Sequence, residues 1–126
     1  MHTTIPRSSA PVLAATLDRW TAHDWSLGVL LPDLVPHDRL IVRTRNSTYE
    51  LVVIVPHTAS VMVRGGAFFQ TFTPAHVAGS SLGGGLLKLH SVCPGFQMEL
   101  VTDDLPIITT RVRMVSVLPT RDGAVM

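Results

Sequence analysis

The chain has 126 residues and a mass of 13.7 kDa, the size of one ordinary domain, and its hydrophobic fraction of 46% is enough for a buried core. Ten basic and nine acidic residues give a net charge of +1, which excludes a global attraction to nucleic acid or to an anionic membrane. The single cysteine, Cys93, excludes an intramolecular disulfide framework and a cysteine-rich zinc site. We therefore expect a cytoplasmic single domain with no membrane partner.

The first third of the chain predicts little regular structure beyond one helix. We expect a flexible N-terminus over residues 1–9, followed by a helix and connecting segment over residues 10–37. Apolar residues recur near helical spacing between Val12 and Trp20, which predicts a short amphipathic helix over residues 11–22. Pro32 and Pro36 then rule out a regular element over residues 31–37.

From Leu40 onward the apolar period changes to two, which predicts a β-barrel domain over residues 38–118 and a flexible tail over residues 119–126. The first two strands read as a hairpin with Asn46-Ser47 as a two-residue turn. That register places Arg43 opposite Glu50, as an oppositely charged cross-strand pair, and turns Tyr49 inward.

Turn residues divide the remainder into four more strands, and no strand is assigned between Gly65 and Gly85. About six short strands with one N-terminal helix favour a mainly β fold, either a small antiparallel barrel or a curled sheet, with a sandwich as the alternative. In a barrel we expect the first and last strands to pair, because closure removes the free edges. The predicted strands cover residues 40–45, 48–55, 60–64, 86–92, 96–101 and 107–118.

Short motifs in a fixed order resemble a group of small, uncharacterised bacterial β-barrel proteins. The resemblance covers about residues 38–118, and two positions depart from it, Gly85 in place of Ser and Thr110-Arg111 in place of Ser-Pro. It implies the barrel fold and no activity. The motifs are Asn46-Ser47-x-Tyr49, Gly65-Gly66, Gly79-Ser80-x-x-Gly83-Gly84, Lys88, Gly95-x-x-Met98-Glu99 and Thr109-Thr110-x-Val112.

A glycine-rich loop before a lysine is the first candidate binding site. Backbone N–H groups of Gly83, Gly84 and Gly85, together with Lys88, would suit a phosphate. The spacing lacks the Gly-Lys-Ser/Thr ending and the following helix of a Walker loop. The glycines equally suit a barrel corner that requires a positive φ angle.

The other chemistry-bearing residues give no recognisable constellation. His57, His76 and His90 have no metal-ligand spacing, and a site would require them to converge in space. Cys93 precedes Pro94-Gly95 without a predicted base or helix N-terminus, so we expect a structural thiol. We predict no metal, no cofactor and no catalytic residues.

Arginines on the first and last barrel strands are the second candidate site. If these strands pair, Arg43, Arg45, Arg111 and Arg113 share one outer face that is able to bind a polyanion. We do not expect nucleic acid as the partner, because Glu50 is predicted to neutralise Arg43 and no aromatic platform alternates with the arginines.

The function therefore stays open among three classes. The first is a non-catalytic β-barrel binding or assembly module acting as a homo-oligomer, since the apolar content exceeds what one small core needs. The second is a small-ligand-binding protein or enzyme that uses the glycine-rich loop over residues 79–88. The third is a nucleic-acid or polyanion binder that uses the arginine face.

Overall fold

A computed structural model describes residues 27–82 and 86–120, and this part of the chain is mainly β-structure. The predicted helix over residues 11–22, the predicted flexible N-terminus and most of the predicted tail lie outside the described residues. Within the described ranges no helix has the length and hydropathy that would let it cross a membrane. The strands are β1 (Val29–Leu30), β2 (Arg39–Thr44), β3 (Thr48–Val55), β4 (Ser60–Gly65), β5 (Phe69–Ser81), β6 (Leu87–Leu89), β7 (Ser91–Val92), β8 (Gln97–Thr102) and β9 (Leu105–Leu118), and short 3-10 helices span Leu31–Asp33 and Pro56–Thr58.

Six of these strands close into a ring of antiparallel neighbours. Strands β2, β3, β4 and β5 pair in succession, β5 pairs with β8, and β8 pairs with β9. Strand β9 then pairs back with β2, so the predicted pairing of the first and last strands is confirmed. Strand β6 adds to the side of β5 away from β8, and β1 with β7 forms a separate two-stranded sheet.

Strand β5 is a ring strand to which the sequence pattern assigned no structure. Pro74 and Gly79 interrupt its pattern, yet both lie within the paired strand. Gly79 has a φ of 152°, and a Cβ there would lie 2.1 Å from the Lys88 carbonyl oxygen. Gly79 is therefore a corner where the backbone of β6 approaches too closely for a side chain.

The predicted strand over residues 86–92 is interrupted at His90. This residue has a φ of 57°, and the positive angle separates β6 from β7. Strand β6 stays with β5, whereas β7 turns away to pair with β1. The sequence pattern was therefore right about extended structure here and wrong about one continuous strand.

The interior of the ring is filled by apolar side chains that alternate along the strands. Burying one Leu or Val side chain contributes about 1.5–3 kcal/mol. Every described arginine is instead exposed on the outer surface. The buried cluster consists of Leu31, Leu40, Val42, Tyr49, Leu51, Ala59, Val61, Val63, Phe69, Val77, Val92, Met98, Leu100 and Val112.

The first hairpin has a different register from the predicted one. Arg43 pairs with Thr48, so the two-residue turn is Arg45-Asn46 and Glu50 faces Ile41. The predicted pairing of Arg43 with Glu50 is wrong. The inward orientation of Tyr49 is confirmed, because its side chain is only 5% exposed.

Thr44 gives the physical reason for this register. Its buried hydroxyl accepts hydrogen bonds from the backbone N–H groups of Asn46 and Ser47, at 3.4 and 3.1 Å. Its own N–H donates to the Ser47 carbonyl at 2.8 Å. A threonine hydroxyl that satisfies the turn amides fixes the turn one residue earlier than the Asn-Ser preference alone suggests.

Candidate anion-binding surface

The fold brings the four predicted arginines to one region of the outer surface. Strands β2 and β9 are hydrogen-bonded neighbours, and Arg43 pairs with Met114, the residue that follows Arg113. Arg45 lies in the β2–β3 turn next to these strands. We call this set the arginine surface, and it consists of Arg43, Arg45, Arg111 and Arg113, all four exposed.

Two adjacent clefts connect the members of the arginine surface. The first, with a volume of about 310 Å³, is lined by Arg43, Arg45 and the rest of the hairpin turn. The second, with a volume of about 400 Å³, is lined by Arg45, Arg111 and Arg113 together with Gln97 and Thr110. Because Arg45 borders both clefts, the two clefts are adjacent, and together they are lined by all four arginines.

Arg111 and Arg113 share the outer face of β9 by ordinary alternation around the buried Val112, and irregularities on either side expose their neighbours Thr110 and Met114 as well. The register shifts between β9 and β2 near Thr44 and between β9 and β8 near Gln97. At the second shift the buried Thr109 hydroxyl accepts the Met98 N–H at 3.1 Å, a ladder bond made by a side chain. Such bulges let exposed residues follow one another without a buried one between them.

The carboxylate expected to neutralise Arg43 is used elsewhere. Glu50 forms an ion pair with Arg64, at 2.6 Å between Oε1 and Nη2, and a second ion pair with Arg39. The Arg64 guanidinium also stacks over the Phe72 ring, 4.4 Å from its centroid. Within residues 27–82 and 86–120, none of the four guanidinium groups of the arginine surface forms an ion pair.

Negative charge gathers at the opposite end of the barrel. Strand β8 begins at Gln97, beside the arginine surface, and ends at the β8–β9 turn, Asp103-Asp104. Six residues of extended strand separate these ends by about 20 Å. Both turn residues have positive φ angles, 50° and 62°, a conformation that Asp tolerates in a tight hairpin turn. The Asp103 and Asp104 carboxylates therefore lie at the end of β8 away from the arginine surface.

The glycine-rich loop does not join the arginine surface. Gly83, Gly84 and Gly85 lie outside the described residues, so the proposed phosphate cradle stays a prediction. Lys88 lies on β6, where its backbone pairs with Ser80 on the side of β5 away from β8. It lines neither of the two arginine clefts.

The histidines and the cysteine do not form a site. His57 and His76 are exposed and His90 is half-buried in the turn between β6 and β7. In the described part of the chain no three His, Cys, Asp or Glu side chains are grouped as a metal site requires. The Cys93 side chain is buried, as expected for a structural thiol.

Two residues that line the second cleft were missed by the sequence reasoning. Gln97 lies on β8 directly opposite Arg111, and Thr110 precedes Arg111 on β9. The only sequence signal for either residue was the apolar alternation along β8, which predicts that the Gln97 side chain faces outward. The bulge that brings Thr110 to the cleft depends on the Thr109 side-chain hydrogen bond and leaves no mark in the apolar pattern.

No protein-family model matches this chain, and neither a curated protein nor a solved structure matches it. Inferences about its function therefore depend on the geometry and charge described above.

Proposed function

We propose that this chain is a cytoplasmic, non-catalytic β-barrel module that binds an anionic, phosphate-bearing ligand through the arginine surface. The observation that supports the proposal most strongly is the division of the barrel arginines into two groups. Arg39 and Arg64 share Glu50, whereas the four arginines around the two clefts have no carboxylate partner among the described residues.

The chemistry of guanidinium groups favours such a ligand. Like charges gathered without counterions repel one another, and a bound anion relieves that repulsion. Each guanidinium presents planar donors that suit phosphate or carboxylate oxygens. Among the described residues no aromatic side chain lines either cleft, which favours recognition of the ligand by its charged groups over stacking of bases.

A labelled octadeoxyuridine titrated at several salt concentrations tests this function. Contacts to three or four phosphates predict that affinity falls about 20- to 50-fold between 50 and 200 mM salt. Changing Arg111 and Arg113 together to Gln removes two contacts and reduces the slope of log affinity against log salt by about 1.4.

The matched control changes Arg39 and Arg64, the two arginines that are ion-paired with Glu50, to Gln. It lowers the net charge by the same amount as the first double variant. We expect this variant to keep the wild-type salt slope, and thermal melts establish that both variants are folded. Equal slopes for the two double variants, or no binding at 50 mM salt, would reject the proposed function.

Self-association is a second candidate function, favoured by the outer face of β9. Leu105, Ile108, Met114 and Leu118 on this one strand are exposed by 64, 51, 47 and 45%. Apolar side chains repeated along one surface strand are typical of an interface between subunits. Arg111 and Arg113 lie between Ile108 and Met114 on this strand, so self-association through the whole face would compete with anion binding.

A further inference from the structure

An exposed aromatic ring lies on the hairpin next to the arginine surface. Phe68, in the turn between β4 and β5, is 67% exposed, the highest value among the large apolar side chains in the part of the chain that the structure describes. Phe72 on the same hairpin is 37% exposed, and the Arg64 guanidinium stacks over its ring. A single exposed apolar residue is common on a protein surface, so the meaning of Phe68 depends on what lies beside it.

The turn that carries Phe68 is packed against the barrel on both sides of this residue. A Cβ atom on Gly66 would lie 2.7 Å from the Tyr49 ring, so the turn backbone lies directly on that buried side chain. Phe69, the next residue, is only 2% exposed and belongs to the core. Because its neighbours hold the turn in place, the Phe68 ring can contact a ligand with little loss of backbone freedom.

The strand register places this turn beside the first arginine cleft. Tyr49 pairs with Gly65, so the β2–β3 turn and the β4–β5 turn lie at the same end of these strands. The close approach of Gly65 to the Thr48 carbonyl oxygen joins the turn to a residue that lines the cleft. Neighbouring strands are separated by about 4.8 Å, which puts the centres of the two turns about 10 Å apart. An extended ligand in the cleft therefore needs to continue only a short distance to reach Phe68.

Two expectations argued against nucleic acid as the ligand, and the structure changes both. Glu50 was expected to neutralise Arg43, but it pairs with Arg39 and Arg64. An aromatic platform was expected to be missing. Within the described ranges no aromatic residue lines the two clefts, yet the adjacent turn presents an aromatic ring next to them. Guanidinium groups beside an exposed ring are the combination that binds single strands, through phosphates and through the faces of bases.

We infer that this surface binds single-stranded nucleic acid, with phosphates on the arginine surface and one base stacked on Phe68. This inference rests on the proposed function and names its ligand class. Every base has a π-face, so one stacking ring gives affinity without sequence preference. The same ring offers little apolar area for insertion into a bilayer, since membrane binding scales with the apolar area that is buried.

Calorimetric titrations with two anionic probes at the same low salt concentration test the inference. Octadeoxyuridine and an inorganic polyphosphate of eight phosphates both offer charge to the arginines, but only the first carries bases. Phe68→Ala is expected to weaken octadeoxyuridine binding by about 5- to 150-fold, the effect of losing one stacked base, and to leave polyphosphate binding unchanged.

Two further variants control for changes that do not involve stacking. Leu89→Ala removes a side chain that is 65% exposed on β6 and lines neither cleft, and it is expected to keep the wild-type affinity for both probes. Phe68→Trp keeps an aromatic face and is expected to bind octadeoxyuridine at least as tightly as the wild type. Thermal melts establish that each variant is folded.

The outcomes separate this inference from the proposed function. Unchanged octadeoxyuridine binding by Phe68→Ala, or an equal loss for both probes, would overturn the inference and leave the proposed function intact. Vesicles of phosphatidylcholine and phosphatidylserine distinguish a membrane surface from a nucleic acid. Vesicle binding that requires Phe68, together with octadeoxyuridine binding that does not, would also overturn the inference. Absence of binding to either anionic probe would overturn both.

Discussion

Asp38 is a buried carboxylate that joins the beginning of the barrel to the end of its last strand. Its Oδ1 accepts the Thr120 N–H at 2.8 Å and its Oδ2 accepts the Val35 N–H at 3.0 Å. Its backbone carbonyl accepts the Val53 N–H at 2.9 Å. One residue thus holds three segments that are distant in sequence at the point where β2 begins.

Removal of this carboxylate is expected to destabilise the fold. Asp38→Ala leaves two backbone N–H groups without their acceptor, and we expect a loss of about 1–3 kcal/mol in the free energy of unfolding. Urea denaturation followed by circular dichroism measures this loss. Asp33→Ala is the control, because Asp33 is exposed and is expected to change stability by less than about 0.5 kcal/mol. Equal losses for the two variants would contradict the role of Asp38.

Individual residues also show the limit of sequence reasoning about charge pairs. The sequence pattern predicted that Glu50 pairs with Arg43, and this pairing is wrong. The observed partners are Arg64, directly opposite on β4, and Arg39, diagonally placed on β2. Charge complementarity identifies candidate partners, but the strand register selects among them. That register depends on the Thr44 hydroxyl, which the apolar periodicity of the sequence does not reveal.

At the scale of elements, the β2–β3 hairpin depends on Thr44 for its turn. Replacing the hydroxyl by a methyl group in Thr44→Val keeps the buried volume and leaves the Asn46 and Ser47 amides without that acceptor. We expect a loss of about 1–2 kcal/mol in unfolding free energy, together with faster amide exchange at Ser47. Hydrogen exchange followed by nuclear magnetic resonance measures both changes.

The matched variant for this hairpin is Thr48→Val, at the neighbouring position on β3 that is exposed. We expect Thr48→Val to leave stability within about 0.5 kcal/mol of the wild type, because its side chain satisfies no turn amide. If Thr44→Val left stability and Ser47 exchange unchanged, the account of the register would be wrong.

Elements with clean alternation were predictable, and elements with corners were not. Strands β2, β3, β4, β8 and most of β9 follow the period of two, because one face of each meets the core and the other faces solvent. Strand β5 carries Pro74 and Gly79, residues that usually end a strand, because it must bend from one neighbour to another as the barrel closes. Local sequence cannot distinguish such a corner from a loop.

At the scale of the whole molecule, the sequence predicted which arginines lie together, but not which charged and polar groups surround them. The pairing of the first and last strands followed from the need to remove free edges, and it brought the four arginines together as expected. That they have no carboxylate partner among the described residues, and that Gln97 lines the same cleft, depends on the tertiary register. The glycine-rich motif was more conspicuous in the sequence, and its first residue, Gly79, lies at a barrel corner.

Self-association through the outer face of β9 is also a property of the whole molecule. If β9 forms a subunit interface, light scattering coupled to size exclusion will give a multiple of 13.7 kDa. Ile108→Arg is then expected to yield monomers, because a charge buried in an apolar interface is costly. Val35→Arg, at a side chain that is also 51% exposed, is expected to leave the assembly unchanged. A wild-type monomer at high protein concentration would contradict self-association.

A nuclear magnetic resonance titration with octadeoxyuridine tests the central claim most directly, because it identifies the residues that the anion contacts. Binding at the arginine surface predicts saturable amide shifts over residues 43–48 and 110–114 and at Gln97, which reverse at high salt. The opposite end of the barrel, residues 56–59 and 103–104, is expected to keep its shifts. Saturable shifts confined to that opposite end, or no saturable shift at low salt, would contradict the account.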